Sequence, residues 1–263
     1  MTDAASIIEA AEKWYGIKTD YSDATKLLTW LTEKHRQYGP EFLEELFSSG
    51  RAAAFLTVNE TYFFRESVHF KFLLELLPSF HASWNFPNLR ICCAAVAAGC
   101  EAYSIAMLIE AYNKGLEKPL SYHIDAFDIN PGVIEIACRG IYGFRTLRED
   151  GSNFHYMTEP WLKKKDDGLF MENSIKKNLS FFVHNLMNEI PLKDYDIIFF
   201  RNAFIYFTAL NRERILTNLV SALKEEGHLI FGVSETAGVK HPELDAKNKN
   251  NVFYFQKKKN MLI

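Results

Sequence analysis

From residue 88 onward, short apolar runs alternate with amphipathic stretches, and few folds satisfy that rhythm. Arg90 to Ala95 is a β-type run. Glu101 to Asn113 repeats with helical spacing, placing Ile105, Leu108, Ile109 and Tyr112 on one face, with Gly115 just past its end. Tyr122 to Phe127 is a second strand. Asn130-Pro131 then opens a helix, since Asn satisfies free N–H groups and Pro suits the first helical position. That helix ends near Gly140. Leu179 to Val183, Tyr195 to Phe200, His228 to Val233 and Val252 to Phe255 read as further strands. Arg212 to Lys224 reads as a helix with Ile215, Leu216, Leu219, Val220 and Leu223 inward, stopped by Gly227. Strands and helices in alternation imply an α/β fold, a mostly parallel sheet covered on both faces.

The first fifty residues are different. Ala4 to Tyr15, Tyr21 to Gln37 and Pro40 to Phe47 have helical periodicity, punctuated by Gly16 and Gly39. A longer helix is expected from about Asn59 to Leu77, ending near Pro78, with a boundary loop from Ser79 to Pro87. Residues 141 to 178 interrupt the alternation. They are polar, carry Trp161 and Lys163 to Lys165, and contain the turn signal Asp166-Asp167-Gly168, so a small β-hairpin unit is expected. The expected division is an all-α domain with its linker helix over 1–72 and an α/β domain over 73–263, with 144–178 as an inserted β-subdomain.

Composition excludes several classes. With 263 residues, 48% of them hydrophobic, the chain can bury a substantial core. No apolar run approaches the ~20 residues of a membrane helix, and Met1-Thr2-Asp3-Ala4 lacks a signal-peptide pattern. Cys92, Cys93, Cys100 and Cys138 form no CxxC pair, and the eight His show no HxxxH spacing. Buried thiols in a reducing cytoplasm and no metal site are therefore expected. A net charge of −3 argues against nucleic acid as a partner. The runs Lys163-Lys164-Lys165 and Lys257-Lys258-Lys259 read as solvated.

In open α/β sheets, ligands bind beyond the carboxyl ends of the strands. The first strand runs into Ala97-Ala98-Gly99-Cys100-Glu101, where small residues allow close approach of a ligand. The second ends at Asp128, whose carboxylate suits a ribose diol. Asn185-Leu186 and Asn202 follow two later strands. Neither GxGxxG nor GxxxxGK[ST] is present, which disfavours NAD and nucleoside triphosphates. A nucleoside without a pyrophosphate fits better, S-adenosylmethionine above all. The stretch Thr57 to Glu66 sets polar residues around three consecutive aromatics, so that polar groups fall on several faces.

Ordered motifs along nearly the whole chain resemble the chemotaxis receptor methyltransferases (CheR type). They are Asn59-Glu60-Thr61-Tyr62-Phe63-Phe64-Arg65-Glu66, Gly99 with Glu101 and Tyr103-Ser104-Ile105-Ala106, and Asp128-Ile129-Asn130. Arg139-Gly140-Ile141-Tyr142, Asn185-Leu186, Arg201-Asn202 with Ile205-Tyr206-Phe207, and Gly232-Val233-Ser234-Glu235 continue the series. The resemblance implies a class I methyltransferase-like (Rossmann-like) fold, with S-adenosylmethionine as methyl donor and S-adenosylhomocysteine as product. It implies that Asn59, Thr61 and Arg65 contact the methionine end, that Gly99 and Glu101 line the pocket, and that Asp128 holds the ribose. Asn185, Leu186, Asn202 and Ala203 would surround the adenine and the sulfonium, and Arg65 and Tyr206 would stand at the reacting centre. The implied substrate is a glutamate on the cytoplasmic methylation helices of chemoreceptors, converted to its methyl ester by a cytoplasmic, monomeric enzyme. Such a carboxylate is ionised at pH 7 and needs no general base.

The chain departs from the family pattern in several places. Cys100 and Ala102 stand where Glu and Pro are usual, Ala97 and Ala98 where Ser and Thr are usual, and Thr208 where Asp is usual. Lys26 to Arg36 is less basic than the family's Arg-rich helix. Two further readings stay open: a module that holds the cofactor and transfers nothing, and a methyltransferase with another acceptor.

Overall fold

A computed structural model describes residues 3–34, 40–82 and 88–259. The chain opens with four helices, α1 (Ala4–Tyr15), α2 (Tyr21–Lys34), α3 (Pro40–Ser48) and α4 (Ala53–Leu56). Asp3 caps α1 by accepting from the Ser6 N–H at 2.8 Å, and Gly16 ends it in the left-handed region at φ 72°. The positions 35–37 assigned to α2 by periodicity, and Gly39, lie outside the described residues.

The α/β part follows the expected alternation. Helix α5 (Val68–Ala82) leads into β1 (Leu89–Ala94), α6 (Cys100–Asn113), β2 (Tyr122–Asp128) and α7 (Pro131–Arg139). Asn130 and Gly140 cap α7 as read from the sequence. The inserted unit comprises β3 (Ile141–Tyr142), β4 (Leu162–Lys165), β5 (Gly168–Met171) and α8 (Asn173–Lys176), with 3₁₀ turns at Phe144–Thr146 and Glu149–Met157. Then come β6 (Leu179–Val183), β7 (Tyr195–Phe200), α9 (Ala209–Ala222), β8 (Leu223–Phe231), β9 (Leu244–Lys249) and β10 (Val252–Lys257).

The large sheet has the order β6-β2-β1-β7-β8-β10-β9, and a small one β3-β5-β4. The first five strands of the large sheet are parallel, and β10 and β9 are antiparallel. From β1 the chain steps outward to β2 and β6 on one side and then returns to β7 and β8 on the other, and this switch in strand order opens a crevice at the carboxyl edge beside β1. Alternate side chains feed two cores. Ile91, Cys93, Ile124, Ile197 and Phe199 face α5, α6 and the small sheet. Cys92, Phe127, Ile198, Phe200 and Leu229 face α9 and the N-terminal helices, whose Ile7, Leu27, Leu31 and Phe47 belong to the same cluster.

Several expectations are corrected. Residues 59–67 are not helical, and α5 begins only at Val68 and runs through Pro78 to Ala82. The Phe63 N–H bonds to the Thr146 carbonyl at 2.9 Å and the Phe64 N–H to the Ser104 hydroxyl at 2.9 Å, with Phe64 and Glu66 at positive φ. Burial of both rings therefore overrides local helix propensity. The loop assigned to 79–87 is helical to residue 82, and 83–87 lie outside the described residues. Helix α9 starts at Ala209 under a Thr208 cap and passes directly into β8 at Leu223, so Gly227 does not stop it. Strand β9 is polar, exposed and at the sheet edge, and carries no alternation by which to read it. Lys257 is not simply solvated, because its Nζ donates to the Val220 and Leu223 carbonyls at 2.8 and 2.9 Å. Cys138 is exposed; the other three thiols are buried.

Candidate functional site

At the carboxyl edge, beside the switch in strand order at β1, lies a cleft of about 980 Å³ counted out to its open mouth. Its lining includes Asn59, Thr61 and Arg65 from the segment before α5, and Glu101 at the start of α6. Asp128 closes β2, Asn185 and Leu186 follow β6, and Asn202, Ala203 and Tyr206 follow β7. Ten candidates scattered over the sequence thus share one cavity. Gly99 is not among the lining residues. At φ 85° it begins α6, and a Cβ there would meet Ala137 at 2.8 Å and Phe181 at 3.1 Å. Its lack of a side chain serves packing between α6, α7 and β6.

The floor is backbone. Ala95 and Ala97 both adopt positive φ, 57° and 50°, and small side chains leave the chain open to close approach. Asp128 is buried, and its two oxygens accept from Ala97 N–H at 2.9 Å and Asn130 N–H at 3.0 Å. Each oxygen keeps acceptor capacity for a ligand hydroxyl. Burial pushes the Asp128 carboxyl above its ordinary range, against the pull of those N–H groups. Cys100 is fully buried, its thiol pushed up to about 12 by burial and partly offset by a hydrogen bond with Thr61. It is a neutral neighbour of the cleft.

Arg201 organises the second wall. Its side chain is 1% exposed, and one terminal nitrogen donates to Glu101 at 2.7 Å. The other donates to Glu66 at 3.0 Å and to the Arg65 carbonyl. The Arg201 Nε finds no partner among the described residues. Burial raises the Glu101 carboxyl, with Arg201 opposing it. Burial also acts on Glu66, but Arg201, Asn202 and the Val233 N–H outweigh it and hold the group below the usual carboxylate range. The turn after β7 is fixed from below by Glu235, which is 3% exposed and accepts from the backbone N–H groups of Asn202, Ile205 and Gly232.

The segment 59–66 is held by the inserted unit. Tyr62 donates to Asp150 at 2.7 Å, and the guanidinium groups of Arg148 and Arg65 lie 4.3 and 5.6 Å from its ring centre. Phe64 stacks on Phe154 at 5.2 Å. Arg65 also donates to the Glu60 carbonyl at 2.8 Å and lines the cleft.

Several lining residues escaped the sequence reading. Arg201 lay inside a quoted motif, but nothing in the sequence paired it with Glu66 or Glu101. Tyr15 at the end of α1 and Ile17 just after it carried no signal, and neither did His184 or Phe70. Among the described residues, no group of three or more His, Cys, Asp or Glu is gathered to hold a metal ion. No described helix is long and apolar enough to cross a membrane.

A family model described as CheR methyltransferase, SAM binding domain, matches residues 59–253. The chemotaxis protein methyltransferase of Borreliella burgdorferi is 35% identical over 188 residues, covering 69% of this chain and 65% of that protein. Its namesake from Vibrio parahaemolyticus is 32% identical over 185 residues, covering 69% and 66%. Both matches thus span slightly less than two thirds of the relative. A protein of Rhizobium etli named "Probable chemotaxis protein methyltransferase" is 30% identical over 237 residues, covering 84% of this chain and 87% of its own. With the motifs of that family meeting in one cleft, the chain belongs to the CheR methyltransferase family.

Proposed function

We propose that this chain methylates glutamate side chains on the cytoplasmic helices of chemoreceptors, using S-adenosylmethionine and acting in the cytoplasm. One observation carries the reading: Arg65, Glu101 and Asp128 converge on a single cleft whose lining also includes Tyr206. A guanidinium and a carboxylate suit the two charged ends of an amino acid, and a carboxylate seated on backbone N–H groups suits a diol. The buried Arg201 Nε, without a partner among the described residues, and the small Ala95–Ala97 floor fit a polar ligand that approaches the backbone closely.

When bound, the cofactor supplies an electrophilic methyl on a positive sulfur. That methyl would pass to an acceptor carboxylate oxygen, the carbon–sulfur electron pair staying with S-adenosylhomocysteine as the leaving product. No proton moves, so the chain needs no general base. Its residues orient and desolvate. Arg65 and Tyr206 would guide the incoming carboxylate, while Glu101 and Asp128 fix the donor and favour its positive charge. Alignment of this kind supplies much of the rate of a displacement. Asn59, Thr61, Leu186, Asn202 and Ala203 complete the enclosure.

The test is methyl transfer from radiolabelled S-adenosylmethionine to membranes carrying chemoreceptors of the same organism. Base-labile label released as methanol is expected. Tight binding of S-adenosylhomocysteine with no transfer to those receptors overturns the assignment and identifies a holding module instead.

A further inference from the structure

Resting on the reading of the cleft as a nucleoside site, we infer that the end of α1 forms part of its wall, so that ligand affinity and seating of the N-terminal helices are one coupled equilibrium. Tyr15 and Ile17 line the cleft beside the residues that follow β6 and β7. Tyr15 is 2% exposed, its hydroxyl donating to the Phe47 carbonyl at 2.9 Å, so its ring is tied to α3 as well.

A set of hydrogen bonds fastens this corner to the sheet edge. Asn185 Nδ2 donates to the Trp14 carbonyl at 2.7 Å, and Lys18 N–H to the Tyr206 carbonyl at 2.7 Å. The Gly16 carbonyl accepts from Thr208 N–H at 3.1 Å and Asn211 Nδ2 at 3.2 Å, and Ile17 bridges Phe207. Gly16 is at φ 72°, and a Cβ there would stand 2.4 Å from the Met187 sulfur. Both polar atoms of the Asn185 amide are engaged within the protein, since its Oδ1 also accepts from Met187 N–H at 3.0 Å. Asn185 therefore holds α1 through Trp14, while each of its polar atoms keeps capacity for a second bond to a ligand.

Coupling is reciprocal. If docking of α1 completes the pocket, a ligand in the pocket must hold α1 down by the same factor. The probe is S-adenosylhomocysteine, with affinity from isothermal titration and seating from amide exchange over residues 4–18 of the full chain. Saturating ligand is expected to slow that exchange at least fivefold in the native protein. Asn185→Ala and Asn211→Ala are expected to weaken binding about tenfold and to lose most of that protection even at saturation. Asn211 does not line the cleft, and its variant guards against a direct ligand contact as the cause. Gly16→Ala should behave likewise, but the Asn variants decide if it fails to fold. Native binding without any slowing of exchange over 4–18, or unchanged affinity in Asn211→Ala, overturns the coupling and leaves the nucleoside site standing. No binding by the native chain overturns both.

Discussion

Replacing Arg201 with Met removes the cation that two carboxylates share, while preserving much of the side chain's bulk. Glu66 keeps its bonds from Asn202 Nδ2 at 2.9 Å and Val233 N–H at 3.2 Å, so the loss falls chiefly on Glu101. Removing one partner of a buried pair costs about 3–5 kcal/mol, because the remaining charge is uncompensated. The pH dependence identifies the cause. Burial already raises the folded-state Glu101 carboxyl above its unfolded value, and loss of Arg201 raises it further. A raised carboxyl costs nothing below the unfolded value of about 4.3 and destabilises progressively as pH climbs through the folded one. Urea denaturation at pH 4 and pH 7.5 should show a small deficit at the lower pH and about 3–5 kcal/mol at the higher, with unchanged slope. Adding Glu101→Gln should recover most of it. A deficit under about 1 kcal/mol at pH 7.5, the scale of an ordinary exposed pair, or equal deficits at both pH values, would refute the reasoning.

Three other outcomes are expected. Asp128→Ala should weaken S-adenosylhomocysteine binding by about 1–3 kcal/mol in titration calorimetry; native affinity should also fall as acidification protonates the raised carboxyl. Gly99→Ala combines a left-handed backbone with a Cβ contact at 2.8 Å, and should lower denaturation stability by about 1–3 kcal/mol. His228 lies against Phe72, Phe80 and Tyr254, and burial lowers it to about 4. Its contribution is therefore intact above the unfolded value of about 6.5 and is lost as pH falls toward 4, by about 2 kcal/mol at pH 4.5. Thermal melts should show His228→Phe losing less stability than the native chain between pH 7 and 4.5.

What the sequence disclosed depended on range. The strands Leu179–Val183 and Tyr195–Phe200 and the caps of α7 obey local rules of period and termination, and they appear where those rules put them. Asp128 and Asn202 were legible because strand ends mark the carboxyl edge. Residues 59–67 were not, since their conformation answers to Thr146 and Ser104 rather than to their neighbours. Arg201 is 100 residues from Glu101 and 135 from Glu66, and no spacing rule spans such gaps. Gly99 was read as room for a ligand, yet the contacts a Cβ would make there come from α7 and β6.

The three backbone N–H groups gathered by Glu235 carry a consequence for biosynthesis. The Asn202 and Ile205 N–H groups of the turn bearing Tyr206 lack their acceptor until residue 235 has been made, although β1, β2, β6 and β7 precede it in the chain. A nascent chain would therefore meet its nucleoside with an unfinished shelf until that carboxylate is in place.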